Sequence, residues 1–115
     1  MRRAIAAVAA AAALALPAAA GAHTGIKSKT PRAGSTASRD LSVVKVNFDS
    51  RVGDATLVVS RSGTKVSRGD GTLANRSRQV RARLRSSRVG RYSATVRWLS
   101  SDGHVQSKTW SFRIR

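Results

Sequence analysis

The chain has 115 residues and is strongly basic, with 22 Lys or Arg against five Asp or Glu and a formal net charge of +17 at pH 7. It contains no cysteine, which excludes disulfides, thiolate metal sites and a thiol nucleophile. The length allows one small domain.

The first 22 residues predict a secretory signal peptide. A positively charged start is followed by an apolar run at 4–16, by Pro17, and by the small residues 20–22 that a signal peptidase reads. The apolar run is shorter than the about 20 residues that a membrane-spanning helix needs. We therefore expect an exported protein, periplasmic or extracellular, in which residues 1–22 are removed and residues 23–115 form one domain.

Cleavage after Ala22 would make His23 the first residue of the mature chain. Such a histidine offers its α-amino group and its imidazole together, and a divalent metal can displace the proton of an amine whose ordinary pKa is about 7.7–8.0. Cleavage after Ala20 would leave a Gly-Ala-His start, which binds Cu(II) through the amine, two amides and the imidazole. An uncleaved signal would leave no free amine beside the histidine.

The rest of the chain predicts short strands separated by frequent turns. Apolar residues alternate with polar ones over 41–48, 55–61, 79–84, 91–100 and 108–115, with a short strand at 64–67. Pro, Gly, Ser and Thr predict loops over 30–40 and 67–77. About six short strands favour an all-β antiparallel sandwich of immunoglobulin-like or cupredoxin-like kind. Its predicted core anchors are the large aromatic residues Phe48, Tyr92, Trp98, Trp110 and Phe112.

The second histidine lies in the stretch SSDGHVQS, residues 100–107, between the last two predicted strands. Asp102-Gly103 is a favoured two-residue hairpin turn, which alone would explain both residues and leave His104 an ordinary loop histidine. Alternatively, Asp102 and His104 turn a carboxylate oxygen and an imidazole nitrogen toward one point. With His23 they make three nitrogens and one oxygen, a tetragonal set that suits Cu(II), whereas zinc prefers a tetrahedral one.

The sequence resembles CopC-type periplasmic copper-binding proteins along most of the predicted mature chain. The resemblance rests on the opening HTGIKSKTPRAGS, on NFDSRV, and on GRYSATVRWLSSDGHVQSKTWSFRI. The last stretch runs Gly-x-Tyr, a Trp strand, Ser-x-Asp-x-His and a Phe-containing strand, like the C-terminal hairpin of that family. The leading histidine and Ser-x-Asp-x-His are the specific part, and residues 61–90 match weakly.

The resemblance implies a small Greek-key β-sandwich or barrel that holds one Cu(II) ion per chain. Its ligands would be the amine and imidazole of His23, the carboxylate of Asp102 and the imidazole of His104. It also implies a non-catalytic role in copper resistance or homeostasis, with copper passed to or from a CopD-type membrane copper transporter. No Cu(I) site is expected, because Met1, the single methionine, would be lost with the signal. In the family the loop histidine is usually followed by Pro, with Gly soon after. Val105 and Lys108 stand there instead, and this difference removes no ligand. We expect a monomer.

The positive charge is not explained by that resemblance. Removing the signal leaves 20 of the 22 basic residues and all five acidic ones, for a net charge of +15. Many of the basic residues lie in SRQVRARLRSSRVGRY, residues 77–92. They decorate either the solvent face of strands or a surface that binds a polyanion or an anionic membrane. The sequence gives no evident exposed aromatics for stacking on bases, which counts against nucleic acid.

Enzymatic functions are less well supported. An N-terminal histidine chelate also resembles the copper centre of polysaccharide mono-oxygenases, but 93 of the 115 residues remain without the signal and they show no aromatic binding platform. The chain has no Gly-x-Ser-x-Gly stretch for a serine hydrolase, and its five scattered aspartates do not indicate a paired-carboxylate site. We expect no enzymatic activity.

Overall fold

The structure of the chain, a computed structural model, describes residues 24–115. The predicted signal peptide and His23 therefore lie outside the described residues. Nine strands follow in chain order: β1 (Ile26–Thr30), β2 (Thr36–Ala37), β3 (Val43–Phe48), β4 (Asp54–Arg61), β5 (Thr64–Lys65), β6 (Thr72–Ala74), β7 (Gln79–Arg83), β8 (Gly90–Leu99) and β9 (Val105–Ile114). Within residues 24–115, no helix is long and apolar enough to cross a membrane.

The strands form two sheets. One sheet has five strands in the order β2-β9-β8-β4-β5, and the other has four in the order β1-β3-β7-β6. Neighbouring strands are antiparallel, except that β2 runs parallel to β9. The predicted all-β sandwich is confirmed.

The core lies between the inward faces of the two sheets. Strands β3, β4 and β8 bury every second side chain, the pattern that a period of two residues predicts. All five predicted aromatic anchors are buried: Phe48, Tyr92, Trp98, Trp110 and Phe112. Two pairs of them touch, with ring centroids 5.5 Å apart for Phe48 and Trp98 and 5.4 Å apart for Tyr92 and Phe112. The first pair joins the two sheets, and the second pair joins the adjacent strands β8 and β9.

Two short strands and the first residues of β9 were absent from the sequence-based expectation. Strands β2 and β6 lie within the predicted loops 30–40 and 67–77, and both pair at the edge of a sheet. Edge strands this short need only a few ladder hydrogen bonds and show no buried alternation, so their sequences do not reveal them. Strand β9 begins at Val105 rather than at 108, because its first five residues pair with β8 while none of their side chains is fully buried.

Two tryptophans donate hydrogen bonds to the first segment of the domain, residues 24–31. The indole N–H of Trp98 donates to the carbonyl of Thr24 at 2.9 Å, and that of Trp110 donates to the carbonyl of Pro31 at 2.9 Å. Both indoles are buried, so each polar atom needs a partner. The first described residues are thereby held at the same end of the sandwich as the loop between β8 and β9.

Candidate metal centre

Asp102 and His104 lie in the five-residue loop 100–104 between β8 and β9. The N–H of Ser100 donates to the carbonyl of His104 at 2.8 Å, and the N–H of Gly103 donates to the carbonyl of Ser100 at 2.9 Å. The predicted two-residue turn at Asp102-Gly103 is therefore wrong: Ser101 and Asp102 are the central residues of the turn. Gly103 follows the turn with φ of 90°. Hairpin loops longer than two residues often place a residue of positive φ after the turn, and glycine adopts that conformation most easily.

The Asp102 carboxylate binds His104 at two points. Nδ1 of His104 lies 2.9 Å from Oδ2 of Asp102, and the backbone N–H of His104 donates to Oδ1 at 3.1 Å. The Asp102 side chain is 15% exposed, whereas that of His104 is 70% exposed. A mostly buried carboxylate thus orients an imidazole that is largely exposed. The structure brings these two predicted residues together, and the third, His23, is outside the described part.

The separation of the two donor atoms can be compared with metal geometries. With metal–ligand bonds of about 2.0 Å, two donors lie about 2.8 Å apart at a square corner and about 3.3 Å apart in a tetrahedron. The 2.9 Å between Nδ1 of His104 and Oδ2 of Asp102 is an ordinary hydrogen-bond distance, so it does not distinguish between these two arrangements. Within residues 24–115, no three His, Cys, Asp or Glu residues group as a metal site. The described residues therefore supply two candidate donors, Asp102 and His104, which lie next to each other.

Thr24, the first described residue, is fastened to the hairpin that carries this pair. Its N–H donates to Oγ of Ser100 at 2.8 Å, and its carbonyl accepts from Trp98 Nε1 at 2.9 Å and from Gln106 Nε2 at 3.3 Å. Thr24 and Ser100 are 0% and 2% exposed. Three hydrogen bonds thus hold the backbone of Thr24 against the two strands that flank the loop.

The loop between β3 and β4 holds the same segment from a second side. The N–H of Gly25 donates to both carboxylate oxygens of Asp49, at 3.1 and 3.2 Å, and the N–H of Asp49 donates back to the carbonyl of Gly25 at 3.0 Å. The hydroxyls of Thr24 and Ser50 are 3.0 Å apart. A β-carbon on residue 25 would lie 3.0 Å from Asp49, so the close approach favours glycine. The start of the domain is therefore fixed to both sheets.

The hydrogen bonds that hold Thr24 could not be predicted from the sequence. Thr24 lies before the first strand that alternation predicts, Ser100 is the last residue of the predicted strand 91–100, Gln106 follows the hairpin turn, and Trp98 was predicted only as a core anchor. Their hydrogen bonds join positions 74 to 82 residues apart, a separation about which sequence periodicity says nothing. The sequence shows only that Thr24 adjoins His23 and that Ser100 begins the loop that contains Asp102.

The comparison with solved structures shows what this fold resembles. CopC from Methylosinus trichosporium matches with a TM-score of 0.67 and 24% identity, over 80% of this chain and 93% of that one. PcoC, a methionine-rich copper resistance protein from Escherichia coli, matches with a TM-score of 0.67 and 21% identity, over 82% of this chain and all of that one. At these identities the similarity establishes a shared fold.

Sequence comparison places the chain in a family. No curated protein sequence matches it significantly. The family model described as the CopC domain, however, matches residues 26–115, which include both sheets and the Asp102 loop. The chain therefore belongs to the CopC family.

Proposed function

We propose that the chain is an exported protein that binds one Cu(II) ion through His23, Asp102 and His104. The observation that carries this proposal is that the Asp102–His104 pair and the backbone of Thr24 are joined through Ser100. Membership of the CopC family and the fold shared with a copper resistance protein support copper as the bound ion. Residues 1–22 are then a removed signal peptide, and residues 23–115 are the copper-binding domain.

The position of Thr24 explains how an N-terminal histidine would complete the site. Successive α-carbons of a chain are about 3.8 Å apart and Thr24 is hydrogen-bonded to Ser100, so we infer that the residue before Thr24 would lie near Ser100. A mature chain that begins at His23 would thus present its amine and imidazole beside the Asp102 loop. Together with the carboxylate of Asp102 and the imidazole of His104, these donors make a set of three nitrogens and one oxygen, which suits Cu(II).

The composition favours the oxidised ion. Soft thiolate and thioether ligands select Cu(I), and the sequence has no cysteine and only Met1 as methionine. The E. coli relative, by contrast, is described as methionine-rich. We therefore propose that residues 23–115 carry a Cu(II) site without a separate Cu(I) site.

The exposure of the site suits transfer of the ion. The His104 side chain is 70% exposed, so a partner protein could approach the ion and exchange ligands one at a time. Release to, or capture from, a CopD-type membrane copper transporter is the role that we propose. The protein would act as a non-catalytic carrier and a monomer.

Titration of the mature chain with Cu(II) tests the proposal. We expect one tightly bound ion per chain, an EPR spectrum dominated by nitrogen couplings, and at least a tenfold loss of affinity in Asp102→Ala and in His104→Ala. Asp70→Ala is the matched control, because it removes the same charge from an exposed aspartate that pairs with Lys65. If the Asp102 and His104 variants bind copper as the parent does, the site is wrong.

The starting residue needs a separate measurement. A chain that begins at Gly21 has histidine in third position and binds Cu(II) with no need of Asp102 or His104. The intact mass of the secreted protein distinguishes that start from one at His23. For the start at His23, blocking the amine is expected to weaken copper binding as strongly as His104→Ala does. Unchanged affinity of the blocked chain contradicts the proposed ligand set.

A further inference from the structure

A basic groove lies on the outer face of the four-stranded sheet. It encloses about 420 Å³ and is lined by Val43, Arg68, Thr72, Ala74, Arg81 and Arg83. Three of these six residues are arginines, and neither an acidic nor an aromatic side chain lines the groove. The groove belongs to a different sheet from the hairpin that carries Asp102 and His104.

The alternation of strand β7 brings the arginines to this face. Val80 and Ala82 are buried in the core, so Arg81 and Arg83 point to the other side and are exposed. Arg68 arrives from the segment after β5, where its backbone N–H donates to the carbonyl of Arg83 at 2.8 Å. Two separate segments thus place three guanidinium groups along one groove.

A fourth cation borders the groove and is not balanced there. Lys45 of β3 is the direct register partner of Arg81, and like charges in directly opposite positions destabilise a sheet. Asp70 is the aspartate nearest to Arg68 in sequence, and its carboxylate pairs with Lys65 at 3.0 Å. Among the described residues, no ion pair involves Lys45 or the three groove arginines. The sheet therefore carries a cluster of like charges that no described carboxylate neutralises.

A row of hydrogen bonds holds the central arginine in place. Arg81 Nε donates to Gln79 Oε1, Gln79 Nε2 donates to Asn47 Oδ1 at 2.6 Å, and Asn47 Nδ2 donates to Ser28 Oγ at 3.0 Å. The row crosses three strands and engages only Nε of Arg81. Its two terminal nitrogens therefore suit a bidentate contact with an oxyanion, with little ordering left to be done on binding.

We propose that the basic groove binds a linear polymer that carries phosphate or sulfate groups. Alternate residues of a strand are about 6.6 Å apart, so Arg81 and Arg83 present two positive charges at that spacing on one face of β7, with Arg68 beside them, which suits a polymer with repeated negative charges. The concave shape fits a chain better than the flat surface of a membrane. Without an aromatic side chain in the groove there is no platform on which bases could stack, so recognition would depend on the oxyanions alone.

The proposal is independent of the copper site, and it gives a role to the positive charge that copper binding leaves unexplained. An exported protein with this groove would be retained on an anionic polymer at the cell surface. Asp102 and His104 would stay accessible in that complex, because they lie in the β8–β9 loop of the other sheet.

Binding of heparin and of polyphosphate, measured as a function of salt concentration, tests the groove. The variant R68Q/R81Q/R83Q removes its three charges, and R91Q/R97Q/R113Q removes three exposed charges from strands β8 and β9 of the other sheet. We expect the affinity of the groove variant to fall at least tenfold. The negative slope of its log K against log salt should become shallower by about 2. The control variant should lose less than threefold. Equal losses in both variants would mean that net charge alone binds the polymers, and would overturn the proposal.

Further probes separate the alternatives. Retention by heparin or by polyphosphate supports the proposal and distinguishes a sulfated glycan from a phosphate polymer. Much tighter binding of an oligo-dT of equal charge would show that bases are read. Binding to phosphatidylglycerol vesicles without binding to either polymer would show that the surface serves a membrane. Either result contradicts the proposal.

The folding of the variants is checked by their urea midpoints. Removing Arg81 relieves its repulsion with Lys45 but also removes its hydrogen bond to Gln79, so the groove variant is expected to unfold at about the same urea concentration as the control. If it fails to fold, R68Q and R83Q separately keep the proposal testable, because no described hydrogen bond uses either side chain. Each should then give a partial loss of heparin affinity, and no loss in either would contradict the proposal.

Discussion

The indole of Trp98 donates a hydrogen bond to the carbonyl of Thr24 at 2.9 Å, which ties a core residue to the first described residue of the domain. Trp98 also packs on Phe48 of the opposite sheet, with ring centroids 5.5 Å apart. The position of Thr24 is therefore set by the core of the sandwich as well as by Ser100 of the loop 100–104. A ligand attached just before Thr24 would have a fixed anchor, which reduces the ordering that metal binding requires.

Trp98→Phe tests this coupling, because it removes the N–H donor and keeps an aromatic ring. The Thr24 carbonyl then retains only the weaker bond from Gln106, at 3.3 Å. We expect a loss of about 1–3 kcal/mol in the free energy of unfolding from the lost hydrogen bond and the smaller ring. Copper affinity should fall severalfold although Asp102 and His104 are intact. Urea unfolding and Cu(II) titration measure the two effects. Unchanged copper affinity would show that the hydrogen bond from Trp98 to Thr24 does not contribute to copper binding.

Ser100→Ala removes the acceptor of the Thr24 N–H. Both residues are buried, so the donor would be left without a partner, at a cost of about 1–3 kcal/mol in the free energy of unfolding. Ser107→Ala, on the exposed part of β9, is the matched control and should change stability by less than about 0.5 kcal/mol. Urea midpoints decide between them. Equal midpoints for the two variants would show that the Ser100 hydroxyl does not hold the segment.

The fold was predictable because the long strands repeat their apolar residues every second position. Strand β3 buries Val44, Val46 and Phe48, and β8 does the same with Tyr92 through Trp98. Strands β2 and β6 were missed, since two or three residues at a sheet edge carry no such repeat. The extra length of β9 was missed for a related reason, because its first residues pair through the backbone without full burial of their side chains.

The candidate site was predictable only where its residues are close in sequence. Asp102 and His104 are two positions apart in one loop, which is enough to suggest that their side chains meet. The attachment of Thr24 to Ser100 depends on how the first segment crosses both sheets, and no local pattern encodes that. The exposed side of β7 was likewise predictable, whereas the groove also needs Arg68 from a distant segment and the register of Lys45 with Arg81.

Gly103→Ala tests whether the shape of the loop matters for copper. Gly103 has φ of 90° and a β-carbon there would meet nothing within 4 Å, so the substitution strains only the backbone. Gly34→Ala is the matched control, with φ of 74° and equally open space in the loop before β2. We expect both variants to lose about 1 kcal/mol of stability. Only Gly103→Ala should weaken Cu(II) binding, and equal copper affinities would show that the loop conformation is not needed.

Tyr92 predicts how stability changes in alkali. Its hydroxyl donates to the carbonyl of Arg88 at 2.6 Å, and burial raises the pKa of that hydroxyl above 10.0, an effect that Arg61 and Arg88 partly offset. The unfolded chain therefore loses this proton first, so the contribution of Tyr92 is complete below pH 10.0 and is lost as the pH rises through the pKa of the folded state.

Tyr92→Phe isolates that contribution, because both proteins contain the same lysines and Tyr92 is the single tyrosine of the chain. The variant should be less stable by about 1 kcal/mol at neutral pH, through the lost hydrogen bond, and the difference should shrink above pH 10.0. Urea unfolding at a series of pH values measures the difference, and tyrosinate absorbance of the folded parent follows Tyr92 itself. A difference that stays constant into alkali would mean that the hydroxyl ionises as readily in the folded chain as in the unfolded one.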